Sequence, residues 1–179
     1  MTTPLDPWNN LRKFTDARIG LGRAGSAMPT REVLGFSLAH AEARDAVTTN
    51  LDWSEVDRGI RDLGLETVLV ESAAEDRGTY LRRPDLGRQL GAKGRETLSK
   101  LAGQRPDIVL MVGDGLSSKA VTANIVPFLK ALLPHFEKQK IKIGPVVLAH
   151  NARVALGDEV AEMLGARAVA VLIGERPGL

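Results

Sequence analysis

DIVLMVGDGLSSKA, residues 107–120, decides the architecture of this 179-residue chain. Ile108 to Val112 form an apolar run too short for a buried helix. Arg105-Pro106 precedes it and Gly113-Asp114-Gly115 follows, so it reads as a strand buried on both faces. The glycines make a tight turn. Ser117 and Ser118 can cap the helix beyond, their hydroxyl oxygens accepting from its first free N–H groups. Asp114 is thereby left at the carboxyl edge of the strand, and in open α/β sheets ligands sit at that edge.

Working outward, Thr67-Val68-Leu69-Val70, Pro145 to Ala149 and Ala168 to Ile173 read as three further strands. Ser54-Glu55-Val56-Asp57 offers a capping-box start to a helix with Val56, Ile60 and Leu63 inward and Gly64 as its stop. Helical spacing also covers Thr30 to about Thr48, with Val33, Leu34, Leu38, Ala41 and Ala46 on one side and His40 near that stripe as a core or boundary histidine. It recurs after the central strand, broken at Pro127 and stopped after Pro134, and again from Gly157 to Leu164 before Gly165. Strands alternating with helices predict an α/β fold, a mainly parallel Rossmann-like sheet with right-handed crossovers and flanking helices. All four strand ends then share one edge, where Asp114, His150, Asn151, Arg153 and Glu175 converge.

The N-terminal part is different in kind. Asp6 and Pro7 suit the start of a short amphipathic helix carrying Trp8, Leu11 and Phe14, an arm packed internally or on a partner. Gly20 to Gly25 fits G-x-G-x-x-G, but its lead-in, Thr15 to Ile19, is polar, and Pro29 precedes the next helical pattern. A flexible connector is the expectation, with a phosphate-holding loop served by Arg18 and Arg23 as the intermediate case. The chain accordingly divides into residues 1–50, arm and glycine-rich connector, and 51–179, the α/β domain.

Composition narrows the function. With 44% hydrophobic and 26% charged residues the chain is globular. It has no cysteine, which excludes disulfides, zinc–thiolate sites, iron–sulfur clusters and cysteine nucleophiles. No apolar run spans a bilayer and the first residues lack the pattern of a signal peptide, so a soluble intracellular protein without a membrane partner is expected. Net charge is +2, and the basic residues concentrate between Tyr80 and Arg105 on a helical pattern interrupted by Gly91 and Gly94. That face could hold phosphates, but no aromatics are interleaved for base stacking, and a solvated surface is the simpler account.

At the shared edge, Asp114, His150 and Glu175 could form an acid/base group and Ser117 or Ser118 a nucleophile. No G-x-S-x-G elbow exists, and no strand end carries a metal-spaced pair. No catalytic residue and no metal ligand is assigned, and a binding edge is the better description.

VGDGLSSKAVTANI (112–125), YLRRPDLGRQL (80–90), GRAG (22–25) and VLIGERPGL (171–179) occur in an order and spacing that resembles the small-subunit family of ethanolamine ammonia-lyases. The resemblance runs from Arg18 onward. It implies an adenosylcobalamin-dependent lyase that converts ethanolamine to acetaldehyde and ammonia in ethanolamine catabolism. By the same resemblance a large barrel subunit holds the substrate, and the small subunit's α/β domain covers part of the cobalamin at the interface of a hetero-oligomer. The family's cofactor-binding positions fall on Val154, in ARV, and Glu175, in GERPGL. Arg153, Asp114 and Gly115 are further candidates because they share the edge. Read without the resemblance, Val154 is core packing near a helix start and Glu175 a turn carboxylate paired with Arg176. The absence of D-x-H-x-x-G fits a family in which the cofactor keeps its own base on cobalt.

Two departures shape the expectations. The family continues past GERPGL into a segment with a CISN-type motif that also touches the cofactor, so this sequence is either a fragment or has incomplete cofactor contacts. A long N-terminal extension linked in some members to packaging is missing, which leans localisation toward the cytoplasm while leaving a bacterial microcompartment open. The rival reading is a non-enzymatic nucleotide- or nucleic-acid-binding module that uses the basic 80–105 face, and a hydrolase acting alone comes third.

Overall fold

Four parallel strands, β1 (Thr67–Glu71), β2 (Ile108–Gly113), β3 (Val146–His150) and β4 (Ala168–Ile173), form one sheet in the order β1-β3-β2-β4. This is a computed structural model, and it describes residues 7–15, 17–49 and 51–174. Its helices are α1 (Thr30–Thr48), α2 (Trp53–Arg61), α3 (Arg77–Arg82), α4 (Ala92–Ser99), α5 (Ser118–Gln139) and α6 (Leu156–Leu164). The chain divides into two compact units, Met1–Ala43 and Arg44–Pro177. The expected α/β class and parallel sheet are both present.

Side-chain alternation on the two central strands builds the core. Val109 and Met111 of β2 join Val147 and Ala149 of β3 in a cluster with Leu98 of α4 and Leu156, Val160 and Leu164 of α6. Leu110 and Val112, with Val146 and Leu148, face the other way, onto Val56 and Ile60 of α2 and Val121, Ile125 and Leu129 of α5. Both faces are therefore covered, which is why β2 and β3 are continuous apolar runs.

Several local readings are corrected. The cap of α2 is Asp52 rather than Ser54: the Ser54 amide donates to the Asp52 carboxylate at 2.9 Å and the Ser54 hydroxyl at 2.6 Å. Helix α5 runs unbroken through Pro127 and Pro134 to a left-handed C-cap at Lys140. A proline inside a helix costs about 3 kcal/mol. Val121, Ile125 and Leu129, buried on both sides of Pro127, each contribute roughly 1.5–3 kcal/mol. Burial wins. The 80–105 stretch is not one interrupted helix. Pro84 ends α3, a 3-10 turn spans Leu86–Arg88, and Gly91 is the N-cap of α4. Strand β3 begins after Pro145, which has no N–H for the ladder, and ends at His150.

In the first unit, Pro7–Phe14 forms a 3-10 helix rather than an α-helix. Asp6, its expected cap, lies outside the described residues. Arg12 donates to the carbonyls of Ile19 and Gly20, so the glycine loop folds back on this element, and among the described residues no strand leads into it. The Arg18 guanidinium lies 5.4 Å from the Phe36 ring centroid. Helix α1 has its expected span, but its apolar stripe is not core: Leu34 is 64% and Leu38 61% exposed, and only Ala46 is buried. Periodicity reports a face that gains from burial; it does not say what buries it.

Candidate functional site

The chain leaves β2 for α5, on one face of the sheet, and leaves β3 for α6, on the other. These two strands are neighbours, so their carboxyl ends flank a topological switch point, where a crevice opens in folds of this kind. Asp114 follows β2 and His150 closes β3. The candidate site is built on that pair.

Asp114 is buried, and both its carboxylate oxygens are engaged. Oδ1 accepts from the Asn151 backbone amide at 2.6 Å, and Oδ2 lies 2.5 Å from Nδ1 of His150. Trp53 Nε1 is 3.5 Å from the same Nδ1. The carboxylate contact is much the shorter, and a carboxylate only accepts, so Nδ1 carries a proton and donates to Asp114. The hydrogen bond to Asp114 raises the His150 pKa above its ordinary value. Burial opposes that shift, the Asp114 and Glu71 charges reinforce it, and Arg77 works against it. The His150 side chain is 31% exposed, and no hydrogen bond among the described residues occupies its Nε2. The result is an imidazole tethered at one nitrogen, with no hydrogen bond among the described residues at the other, and its charged form is favoured by Asp114.

A second layer holds this arrangement. Asn151 adopts a left-handed conformation, φ 51°, which Asn tolerates better than most residues. Gly115 is glycine by necessity: a Cβ there would meet the Ala152 carbonyl oxygen and lie 2.5 Å from the Tyr80 hydroxyl. That hydroxyl donates to the Gly115 carbonyl at 2.8 Å, and burial raises the Tyr80 pKa. Arg77 donates to the Asp114 carbonyl at 3.1 Å and, at 2.6 and 2.9 Å, to the Val47 carbonyl. Arg77 and Arg153 both lie against the Tyr80 ring, at 4.8 and 4.7 Å. Among the described residues, two buried side-chain atoms, Asn151 Oδ1 and Arg153 Nε, have no hydrogen-bond partner.

The structure thus brings Asp114, Gly115, His150, Asn151 and Arg153 to one edge. Asp114 and Gly115 are buried beneath it, whereas Val154, just beyond, is 60% exposed rather than packed in the core. Glu175 lies outside the described residues. The serines do not join the pair as a nucleophile. Ser117 caps α5 by accepting from the Ala120 amide, and Ser118 donates to the Thr49 carbonyl. Sequence reasoning missed Trp53, Arg77 and Tyr80. The only usable signal for Arg77 is Asp76 before it, which caps α3 by accepting from the Thr79 amide at 2.9 Å.

Elsewhere, an apolar groove of about 380 Å³ lies between α5 and β4, lined by Ala120, Asn124, Phe128 and Ile173 among others, with no ionisable side chain. On the basic 80–105 segment Arg83 pairs with Asp85, Arg95 with Glu159 and Lys100 with Glu96. Its aromatic residue, Tyr80, is buried and unavailable for base stacking. Among the described residues no acid–histidine cluster could hold a metal ion, and no helix is long and apolar enough to cross a membrane.

Comparison with known proteins then decides the family. The family model described as ethanolamine ammonia-lyase light chain (EutC) matches residues 5–179. The chain belongs to that family. It is 46% identical, over 98% of its length, to the ethanolamine ammonia-lyase small subunit of Pseudomonas fluorescens (strain Pf0-1), and covers 65% of that protein. Small subunits of the same name from Rhodopseudomonas palustris (strain BisA53) and Bradyrhizobium diazoefficiens are 47% and 48% identical over 99% and 98% of the chain, which spans 68% of each. The chain therefore spans about two thirds of the length of these curated relatives. Family membership favours the lyase reading and lends nothing to the nucleic-acid alternative.

Proposed function

We propose that this chain is the small subunit of an adenosylcobalamin-dependent ethanolamine ammonia-lyase, active only with a large subunit that holds ethanolamine. The observation that carries the reading is the match to proteins named as small subunits of that enzyme at 46–48% identity over nearly the whole chain. The chemistry of the switch point is compatible with it. Val154 offers an exposed apolar side chain suited to a corrin edge, and no hydrogen bond among the described residues occupies His150 Nε2. Among the described residues Asn151 Oδ1 is a buried acceptor without a donor, and cobalamin is rimmed by amides. On this reading Val154 and Glu175 hold the cofactor, Arg153 supports them, and Asp114 and Gly115 shape the turn beneath. The cofactor, when bound, supplies radical chemistry. This chain's part is to cover it, orient it and exclude water from that side. The exposed apolar stripe of α1 is the surface we assign to the large subunit.

Reconstitution tests the reading. Acetaldehyde formation from ethanolamine is assayed with each chain alone and with both, in the presence of adenosylcobalamin. Turnover is expected only with both chains, and turnover by the 179-residue chain alone overturns the assignment.

A further inference from the structure

The His150 imidazole has one nitrogen committed and one without a hydrogen bond among the described residues, and its surroundings are asymmetric. Asp114, after β2, binds Nδ1 at 2.5 Å. Glu71, at the end of β1, is the register partner of His150. Arg77, at the start of α3, acts on the ring electrostatically, and Trp53 of α2 approaches Nδ1. Two carboxylates and one guanidinium therefore face the ring, and the nearest group is a carboxylate whose other oxygen is already bound to a backbone amide. Asp114 cannot turn away without giving up both bonds, so the ring is fixed in orientation, and no hydrogen bond among the described residues occupies Nε2.

We propose that the Asp114–His150 pair is a charged hydrogen-bond donor built into the switch point, whose Nε2–H donates to an acceptor oxygen of the molecule bound there, so that binding weakens as the imidazolium loses its proton. His150 is the contacting residue and Asp114 the positioning residue. The inference rests on the cobalamin reading above. In that cofactor the acceptor is a carboxamide carbonyl or a phosphodiester oxygen, both of which accept from a cationic N–H. The pair's contribution is present at low pH and is lost as pH rises through the His150 pKa, which Asp114 holds above the ordinary imidazole value.

The test is cobalamin affinity, read from the absorption change on titrating cyanocobalamin into the assembled complex of this chain with the large subunit. Cyanide keeps the upper cobalt ligand from titrating. Subunit association is followed by sedimentation at each pH. Between about pH 6 and about pH 9 the wild-type affinity is expected to fall roughly tenfold, the loss of one charge-assisted hydrogen bond. His150→Gln should remove that dependence and bind at all pH values about as the wild type does at high pH. Asp114→Asn should move the transition to lower pH. Cobinamide, which lacks the phosphodiester, separates the two acceptors: a retained pH dependence assigns the carbonyl, a lost one the phosphodiester. A flat wild-type profile, or the same slope in His150→Gln, overturns the inference and leaves the cobalamin reading standing. No binding by an intact complex at any pH overturns that reading and this inference with it.

Discussion

At the scale of single residues the molecule is most informative where a polar group is buried. A buried carboxylate costs several kcal/mol unless it is paired and hydrogen-bonded. Asp114 meets that condition through the Asn151 amide and the His150 ring. Because Asp114 raises the His150 pKa in the folded state, the folded chain holds that proton more tightly than the unfolded chain does. The contribution to stability is therefore complete below the ordinary imidazole value and is lost as pH rises through the folded one. Urea midpoints of this chain should accordingly fall as pH rises above the ordinary imidazole value of about 6.5. In His150→Gln that component of the slope should disappear.

Among the elements, α5 shows how packing overrides local preference. Pro127 is exposed and sits between turns whose inner residues, Ile125 and Leu129, are buried against the sheet. The helix bears the missing hydrogen bond because its inner face is already anchored. Pro127→Ala restores a backbone N–H on the solvent side without touching the core. It should raise unfolding stability by about 1 kcal/mol, part of the roughly 3 kcal/mol that an interior proline costs, measured by urea denaturation. A loss of stability would mean that the proline geometry is needed to seat Leu129. In α2 the outcome is local instead: Asp52 takes the cap because its carboxylate reaches two donors of Ser54.

For the molecule as a whole, the two units differ in how their apolar residues are used. The α/β unit buries its aliphatic residues on both faces of the sheet. Helix α1 leaves Val33, Leu34, Phe36 and Leu38 exposed. Leu34→Ser with Leu38→Ser should barely change the stability of the chain, since substitutions at exposed positions usually alter it by about 0.5 kcal/mol or less. If α1 is the large-subunit surface, the double variant should lose co-purification with the large subunit while keeping its own melting temperature. Undiminished co-purification would assign the stripe elsewhere.

What the sequence by itself determined is local or periodic. Strand β4 is legible to the residue because Ala168–Ile173 is an apolar run between an αL glycine cap at Gly165 and the glycine at 174. The apolar run at 108–112 and the serine cap at 117 are legible for the same reason: each depends on neighbours a few residues away. The edge bearing Asp114, His150, Asn151 and Arg153 also follows, since parallel strands joined by crossovers must align their carboxyl ends. Tertiary structure alone decided the rest. Asp114 and His150 are 36 residues apart, and Trp53 and His150 are 97 apart. They meet only because the order β1-β3-β2-β4 sets β2 beside β3, and hydrophobic periodicity carries no information about which strands adjoin. The burial of Tyr80 and the clamp formed by Arg77 depend on the same placement, as does the exposure of Val154. A side chain's neighbours across a sheet are set by register, and register is the outcome of packing the whole core at once.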